Sequence, residues 1–172
     1  MEFKSSLLYP EIKVEEKNIE YAKILLNLYS GRDSEETIFH TFFYQSLILD
    51  NEYKNILKQI SDVELIHLEI LGKTIKLLGI EPMFIFPNNI DNGFKIWNSS
   101  FINYEKSDEK LILYDIQNKE NIIKEYKEAY EKINDKYIKS IINRILLDEE
   151  IHVSIFKEIY GKIKVSTQNL QK

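Results

Sequence analysis

Apolar residues recur at steps of three and four along four long segments, about 18–49, 53–78, 109–133 and 136–160. That spacing puts them on one face of an α-helix. Only Asp50-Asn51-Glu52 separates the first pair of segments, and only Asn134-Asp135 separates the second. Links this short make each pair an antiparallel hairpin. The one sustained breaker-rich stretch holds Pro82, Pro87, Asn88, Asn89, Asp91, Asn92 and Gly93, inside a crossover of about 79–108. The pattern predicts an all-α chain, a four-helix bundle made of two hairpins joined by that crossover. Gly161 is the expected C-cap of the last helix, and the polar tail from Lys164 is expected to fray. At 172 residues the whole chain, 1–172, is expected to form a single domain.

The core seam of each helix follows from alternating steps of three and four. In the second helix it reads Tyr53, Leu57, Ile60, Glu64, His67, Leu71, Thr74, Leu78; in the fourth, Ile138, Ile142, Ile145, Glu149, His152, Phe156, Ile159. Each seam is interrupted by a glutamate and a histidine three residues apart, a spacing that aims both at one site. The first helix adds Leu28, Arg32, Glu35, Phe39, Phe42, Ser46 and Leu49, with Arg32 as a prospective partner of Glu35. Burying ionised carboxylates costs several kcal/mol each unless a cation pairs with or is bound by them. Paired Glu-x-x-His motifs on two helices are the arrangement of dinuclear carboxylate metal sites.

Composition narrows the chemistry. The formal charge is −5, with 23 basic and 28 acidic residues spread along the chain, so no basic stripe points to nucleic acid or an anionic membrane. The chain has no cysteine, which excludes disulfides, thiolate catalysis, iron–sulfur clusters and a built-in rubredoxin-type iron site. Residues 1–13 lack the pattern of a signal peptide and no apolar run reaches membrane-span length, so a cytoplasmic protein is expected.

Two hairpins and a long crossover match ferritin-like connectivity. The chain resembles the ferritin-like superfamily, in particular its manganese-catalase and rubrerythrin-type branch, which includes spore-coat proteins. The resemblance is carried by Gly31-Arg32-Asp33-Ser34-Glu35-Glu36-Thr37, Glu64-Leu65-Ile66-His67-Leu68-Glu69-Ile70-Leu71-Gly72, Trp97-Asn98-Ser99-Ser100-Phe101-Ile102-Asn103-Tyr104 and Asp148-Glu149-Glu150-Ile151-His152. It implies Glu35 as a terminal metal ligand, Glu64 and Glu149 as carboxylates able to bridge two metals, and His67 and His152 as one imidazole per metal. It also implies a sixth ligand, a glutamate on the third helix. There this chain departs, because Asp115-Ile116-Gln117-Asn118 leads to Lys119.

Periodicity also turns Lys119 inward, on a seam of Ile112, Ile116, Lys119, Ile123, Tyr126, Tyr130 and Ile133. Three readings stay open: Lys119 neutralises the glutamates and no metal binds, one metal survives beside it, or a helix bulge turns Glu120 inward to restore six ligands. With metal, the resemblance implies iron or manganese acting on peroxide, by disproportionation or by reduction with an external electron donor. Without metal it implies a structural or assembly protein, with a spore coat as one setting. Tyr126 is read as a packed core tyrosine, with a hydrogen-bond donor just outside the ligands or a radical relay as the functional alternatives, and His40 as a surface or interface residue. Phe84, Phe86, Phe94 and Trp97 of the crossover are expected against the bundle's side or in a subunit contact, which points to a homo-oligomer.

Overall fold

The computed structural model describes residues 2–49, 52–88 and 93–170, with side chains up to residue 165. Asp50 and Asn51, expected in the first hairpin turn, and Asn89, Asp91 and Asn92 of the breaker stretch lie outside the described residues.

The first segment is two helices. Helix α1 (Ile19–Ser30) is capped by Asn18, whose side chain accepts from the Tyr21 amide, and α2 (Glu35–Ile48) is capped by Ser34, which accepts from the Thr37 amide. The break begins at Gly31, where a Cβ would come within 2.4 Å of the Asn27 carbonyl oxygen. Only glycine admits that approach. The interruption resets the helical phase, so Arg32 faces solvent and does not meet Glu35, as uninterrupted periodicity had required.

Helix α3 (Tyr53–Leu78) ends at Gly79, whose φ of 104° lets its amide bond back to the Ile75 and Lys76 carbonyls. Helix α4 spans Asp108–Lys132 and α5 spans Lys136–Leu170. Asp135 starts α5 by accepting from the Tyr137 and Ile138 amides. Gly161 is not a cap: α5 passes through it, and the tail beyond Lys164 continues as helix to Leu170.

Helix α2 packs on α3, α4 on α5, α3 on α5, and α1 on α3 and α4, which gives the expected bundle of two hairpins. Leu57, Ile60, Leu71, Ile75, Ile138, Ile142, Ile145 and Phe156 form its apolar core. The crossover holds a small hairpin that helical periodicity does not predict, with β1 (Ile85–Pro87) antiparallel to β2 (Phe94–Ile96). It is fixed to the first two helices: Phe84 stacks on Tyr29 at 5.5 Å, Ser30 Oγ donates to the Ile85 carbonyl at 2.6 Å, and Trp97 Nε1 donates to Thr37 Oγ1 at 2.9 Å.

Residues 2–17 form no regular element and run antiparallel to α5. The strap starts beside His152, where Phe3 lies, and reaches Asp135, which accepts from the Glu15 amide at 2.6 Å. Phe3, Tyr9, Ile12 and Val14 pack inward from it against the core. Among the described residues, no helix is long and apolar enough to cross a membrane.

Candidate metal centre

The glutamates and histidines of the seams converge midway along the bundle. Glu35 comes from the first turn of α2, Glu64 and His67 from α3, Lys119 and Tyr126 from α4, and Glu149 and His152 from α5. All seven are buried, and none but Tyr126 is apolar.

Lys119 Nζ stands between two carboxylates, donating to Glu64 Oε1 at 2.6 Å and Glu149 Oε2 at 2.5 Å. The other oxygens of those groups turn toward His67. Glu64 Oε2, Glu149 Oε1 and Glu35 Oε2 lie 3.2, 3.3 and 3.6 Å from His67 Nδ1. Tyr126 donates a short hydrogen bond to the remaining Glu35 oxygen. The core therefore has two compartments: an ammonium between Glu64 and Glu149, and beside it a space bounded by three carboxylate oxygens and one imidazole nitrogen.

Both histidines are oriented from outside. His67 Nε2 donates to Asp148 Oδ2 at 3.1 Å, and His152 Nε2 donates to the Phe3 carbonyl at 2.7 Å. Neither acceptor can donate, so Nε2 carries a proton in each ring; on the inner side His67 Nδ1 donates in turn to Glu64 Oε2 at 3.2 Å, so a metal taking that nitrogen displaces a second proton. A hydrogen bond on the outer nitrogen is how a metal-binding imidazole is normally held. His152 Nδ1, however, stands on the lysine side: it is 2.9 Å from Glu64 Oε1, without the alignment of a hydrogen bond.

Electrostatics follow from burial opposed by neighbours. Burial alone would raise Glu64, but Lys119 and His152 hold it well below the usual carboxylate range. Burial and the Glu64 charge push Glu149 up, yet Lys119 and the histidines bring it down to about 2. Glu35 has no ammonium, and burial together with the Glu149 charge raises it to about 7. Burial disfavours charge on His67, but Glu35 and the hydrogen bond to Asp148 raise it well above an ordinary imidazole.

The structure brings Glu35, Glu64, His67 and Glu149 together, with one ligand atom from each inside a 4.8 Å envelope. Glu120 stands elsewhere: α4 is regular at this point, without the bulge that would turn it inward, and Glu120 is exposed and paired with Lys157 at 2.7 Å. Sequence reasoning missed Asp148, Arg144 and Tyr9. Asp148 accepts from Arg144 at 2.6 Å and from the Tyr9 hydroxyl at 2.6 Å; burial would raise it, but its hydrogen bonds from His67, Tyr9, the Ser5 amide and Arg144 hold it below the ordinary aspartate range. Its available signal was the Arg144–Asp148 spacing of four along α5, one position off the seam.

One ion fits this donor set. Metal–ligand bonds of roughly 2.0–2.2 Å put opposite ligands roughly 4.0–4.4 Å apart, so the envelope needs only a few tenths of an ångström of contraction. Glu35 Oε2 and Glu149 Oε1 are buried there without a hydrogen-bond partner, as unfilled ligand positions would be. A second ion bridging Glu64 and Glu149 does not fit while Lys119 Nζ holds that position.

A helical bundle of two hairpins with Glu-x-x-His pairs facing a carboxylate-lined core defines a ferritin-like protein of the metal-site class. The family profile described as manganese containing catalase matches residues 2–100, and the chain belongs to that family. It is 24% identical over 176 aligned positions to a probable manganese catalase of Clostridium acetobutylicum, covering 92% of this chain and 78% of that one. Among solved structures it is similar to KatB, a manganese catalase from Anabaena, with a TM-score of 0.82 and 20% identity over 95% of this chain and 81% of the other. A Rhodobacter capsulatus bacterioferritin, described with a metal-free dinuclear site and haem iron, aligns with a TM-score of 0.69 and 14% identity over 87% and 88% of the two chains. At these identities the structural likenesses establish the fold alone.

Proposed function

We propose that this protein is a one-metal member of the family acting on hydrogen peroxide. A single divalent manganese or iron ion sits against Glu35, Glu64, Glu149 and His67, and the Lys119 ammonium takes the place of a second ion. The observation that carries this reading is the position of Lys119 Nζ, 2.6 Å from Glu64 and 2.5 Å from Glu149. With both imidazoles neutral, three carboxylates are balanced by one ammonium and one divalent ion, whereas two ions beside the ammonium would leave the core positive.

When bound, manganese or iron supplies the change of oxidation state that exchange of electrons with peroxide needs. The chain's own residues prepare the site. Lys119 fixes one oxygen of Glu64 and one of Glu149, leaving the others facing His67. Tyr126 holds Glu35 in the same way, and burial of all these groups keeps water from competing for them. Peroxide is the substrate named by the catalase relatives, and disproportionation needs no electron donor. A reductive cycle needs an external one, because a chain without cysteine carries no thiolate-bound iron. The reading places the protein in the cytoplasm as a homo-oligomer.

A second reading is a metal-free core with a structural or assembly role. It is favoured by the two imidazoles, which the carboxylates hold toward their charged forms, so that with Lys119 they match Glu35, Glu64 and Glu149 without any metal. Elemental analysis of protein purified without chelator, on wild type and Lys119→Glu, separates the two. The one-metal reading expects near one ion per chain in wild type and near two in Lys119→Glu. None in wild type establishes the metal-free core; near two in wild type removes the role given to Lys119. Oxygen release from peroxide by loaded wild type, lost in Glu64→Ala and His67→Ala, tests the substrate.

A further inference from the structure

We propose that the strap formed by residues 2–17 is the positioning element for both site histidines, ordering His67 through Asp148 and His152 through the Phe3 carbonyl. The metal arm of this proposal rests on the one-metal reading; the positioning arm does not.

Asp148, which orients His67, has all of its accepting capacity in use. Oδ1 accepts from the Ser5 amide at 2.7 Å and Arg144 Nη1 at 2.6 Å; Oδ2 accepts from the Tyr9 hydroxyl at 2.6 Å and His67 Nε2 at 3.1 Å. Two of those donors belong to the strap. Arg144 ties the strap down again, through Nη2 to the Ser5 carbonyl at 2.9 Å and Nε to the Leu7 carbonyl at 2.7 Å, with its guanidinium 4.1 Å from the centre of the Tyr9 ring. The Tyr9 ring meets His67 edge-on, with centroids 6.2 Å apart. His152 depends on the strap directly, because its outer nitrogen donates to the Phe3 carbonyl.

An imidazole's orientation and tautomer are set by the acceptor on its outer nitrogen. Here one acceptor is the backbone of an irregular segment and the other is a carboxylate that the same segment half saturates. The strap has no helix or sheet of its own to hold it, and Leu7 and Leu8 on it are exposed. It is attached by these polar ties, by the Glu15 amide bond to Asp135 at its far end, and by the inward packing of Phe3, Tyr9, Ile12 and Val14. Tyr9, Arg144 and the Ser5 amide are thus positioning residues that act on His67 through Asp148, and the Phe3 carbonyl acts on His152. Linkage is reciprocal: whatever fixes the imidazoles from inside also tightens the strap.

The test uses the full chain and reads each histidine separately, by diethylpyrocarbonate modification mapped by mass spectrometry. Half-exposed His40 serves as internal reference. Wild type is expected to react slowly at His67 and His152. Ser5→Pro/Tyr9→Phe, which removes both strap donors to Asp148 without touching the bundle, is expected to react about tenfold faster at both, with His40 unchanged. Ser5→Ala keeps the amide and should match wild type. Tyr9→Phe alone should accelerate His67 and leave His152 slow, a difference that general loosening would not produce and that survives if the double variant folds poorly. Unchanged protection of both rings in the double variant overturns the proposal, whether or not the strap amides exchange faster with solvent.

Manganese(II) affinity, read from the free-ion electron paramagnetic resonance signal, should weaken in the double variant, by at most the roughly 10–100-fold that follows complete loss of the hydrogen-bond partner behind a ligand. Equal affinity in both proteins overturns the metal arm while the one-metal reading stands. Absence of uptake by wild type removes the one-metal reading, and histidine reactivity then decides the strap by itself.

Discussion

Replacing Lys119 by methionine keeps a long flexible stem in the core and deletes only the ammonium. In the wild type that ammonium is fully buried and closes on Glu64 at 2.6 Å and on Glu149 at 2.5 Å, with the Phe42 ring 5.6 Å away. Removing one partner of a buried ion pair costs about 3–5 kcal/mol, because the other is left charged and unpaired. A domain has roughly 5–15 kcal/mol in total, so the variant should lose a large share of its stability. With a urea dependence of about 2 kcal/mol per molar, the unfolding midpoint at pH 7.5 should fall by roughly 1.5–2.5 M.

The loss has a pH signature. In the wild type, Glu64 lies well below the ordinary range and Glu149 lies at about 2, so the stability they contribute is present above the unfolded carboxylate pKa and is lost as pH falls through their folded values. Without the ammonium, two carboxylates share a buried site and the pKa of one of them rises, so the variant gains stability as that group takes up a proton. The gap between the two proteins should therefore be widest above neutral pH and narrow toward pH 5.5. Urea unfolding followed by circular dichroism at both pH values measures it. A gap below about 1 kcal/mol at pH 7.5, or one that does not change with pH, would refute the assignment of Lys119 as the cation on which these carboxylates depend.

Manganese(II) uptake by the wild type should strengthen as pH rises from 6 to 8, since the ion displaces a proton from His67, held above the ordinary imidazole range, and competes with one on Glu35, raised to about 7. The slope is roughly tenfold per pH unit for each proton displaced, and titration at fixed ionic strength reads it; a flat profile contradicts the ligand set. Gly31→Ala places a methyl 2.4 Å from the Asn27 carbonyl oxygen and forces the backbone of the α1–α2 break to shift. A cost of roughly 1–3 kcal/mol is expected, seen in calorimetry as a melting point lower by roughly 3–10 °C.

Helical period was a good guide along α3 and α5, but on α4 it slipped by one residue at two positions, where Ile122 and Ala129 are buried in place of the expected Ile123 and Tyr130. Leu57, Ile60, Glu64, His67, Leu71 and Thr74 are buried as the α3 seam requires, as are Ile138 through Ile159 on α5, and Lys119 points inward as the α4 seam requires. Glu120 follows Lys119 by about 100° of helical turn, and the structure accordingly puts it outside. Period failed where the chain leaves the helix. The break at Gly31 to Ser34 removed Arg32 from the seam while leaving Glu35 on it, and only the Gly-Arg-Asp-Ser composition marked the place. The strap was invisible for a different reason: Ser5 and Asp148 are 143 residues apart, and no local pattern encodes a contact of that range. Fit to a single ion came from geometry, since it depends on which oxygen of each carboxylate the lysine occupies.

The lysine between Glu64 and Glu149 has a genetic corollary. Every lysine codon becomes a glutamate codon by one purine transition at its first base, so a core closed by an ammonium and a core offering a further carboxylate are neighbours in mutational space. Position 119 can therefore be reversed in the laboratory with the smallest change a gene allows, on a scaffold that already holds Glu35, Glu64, His67, Glu149 and His152 in place.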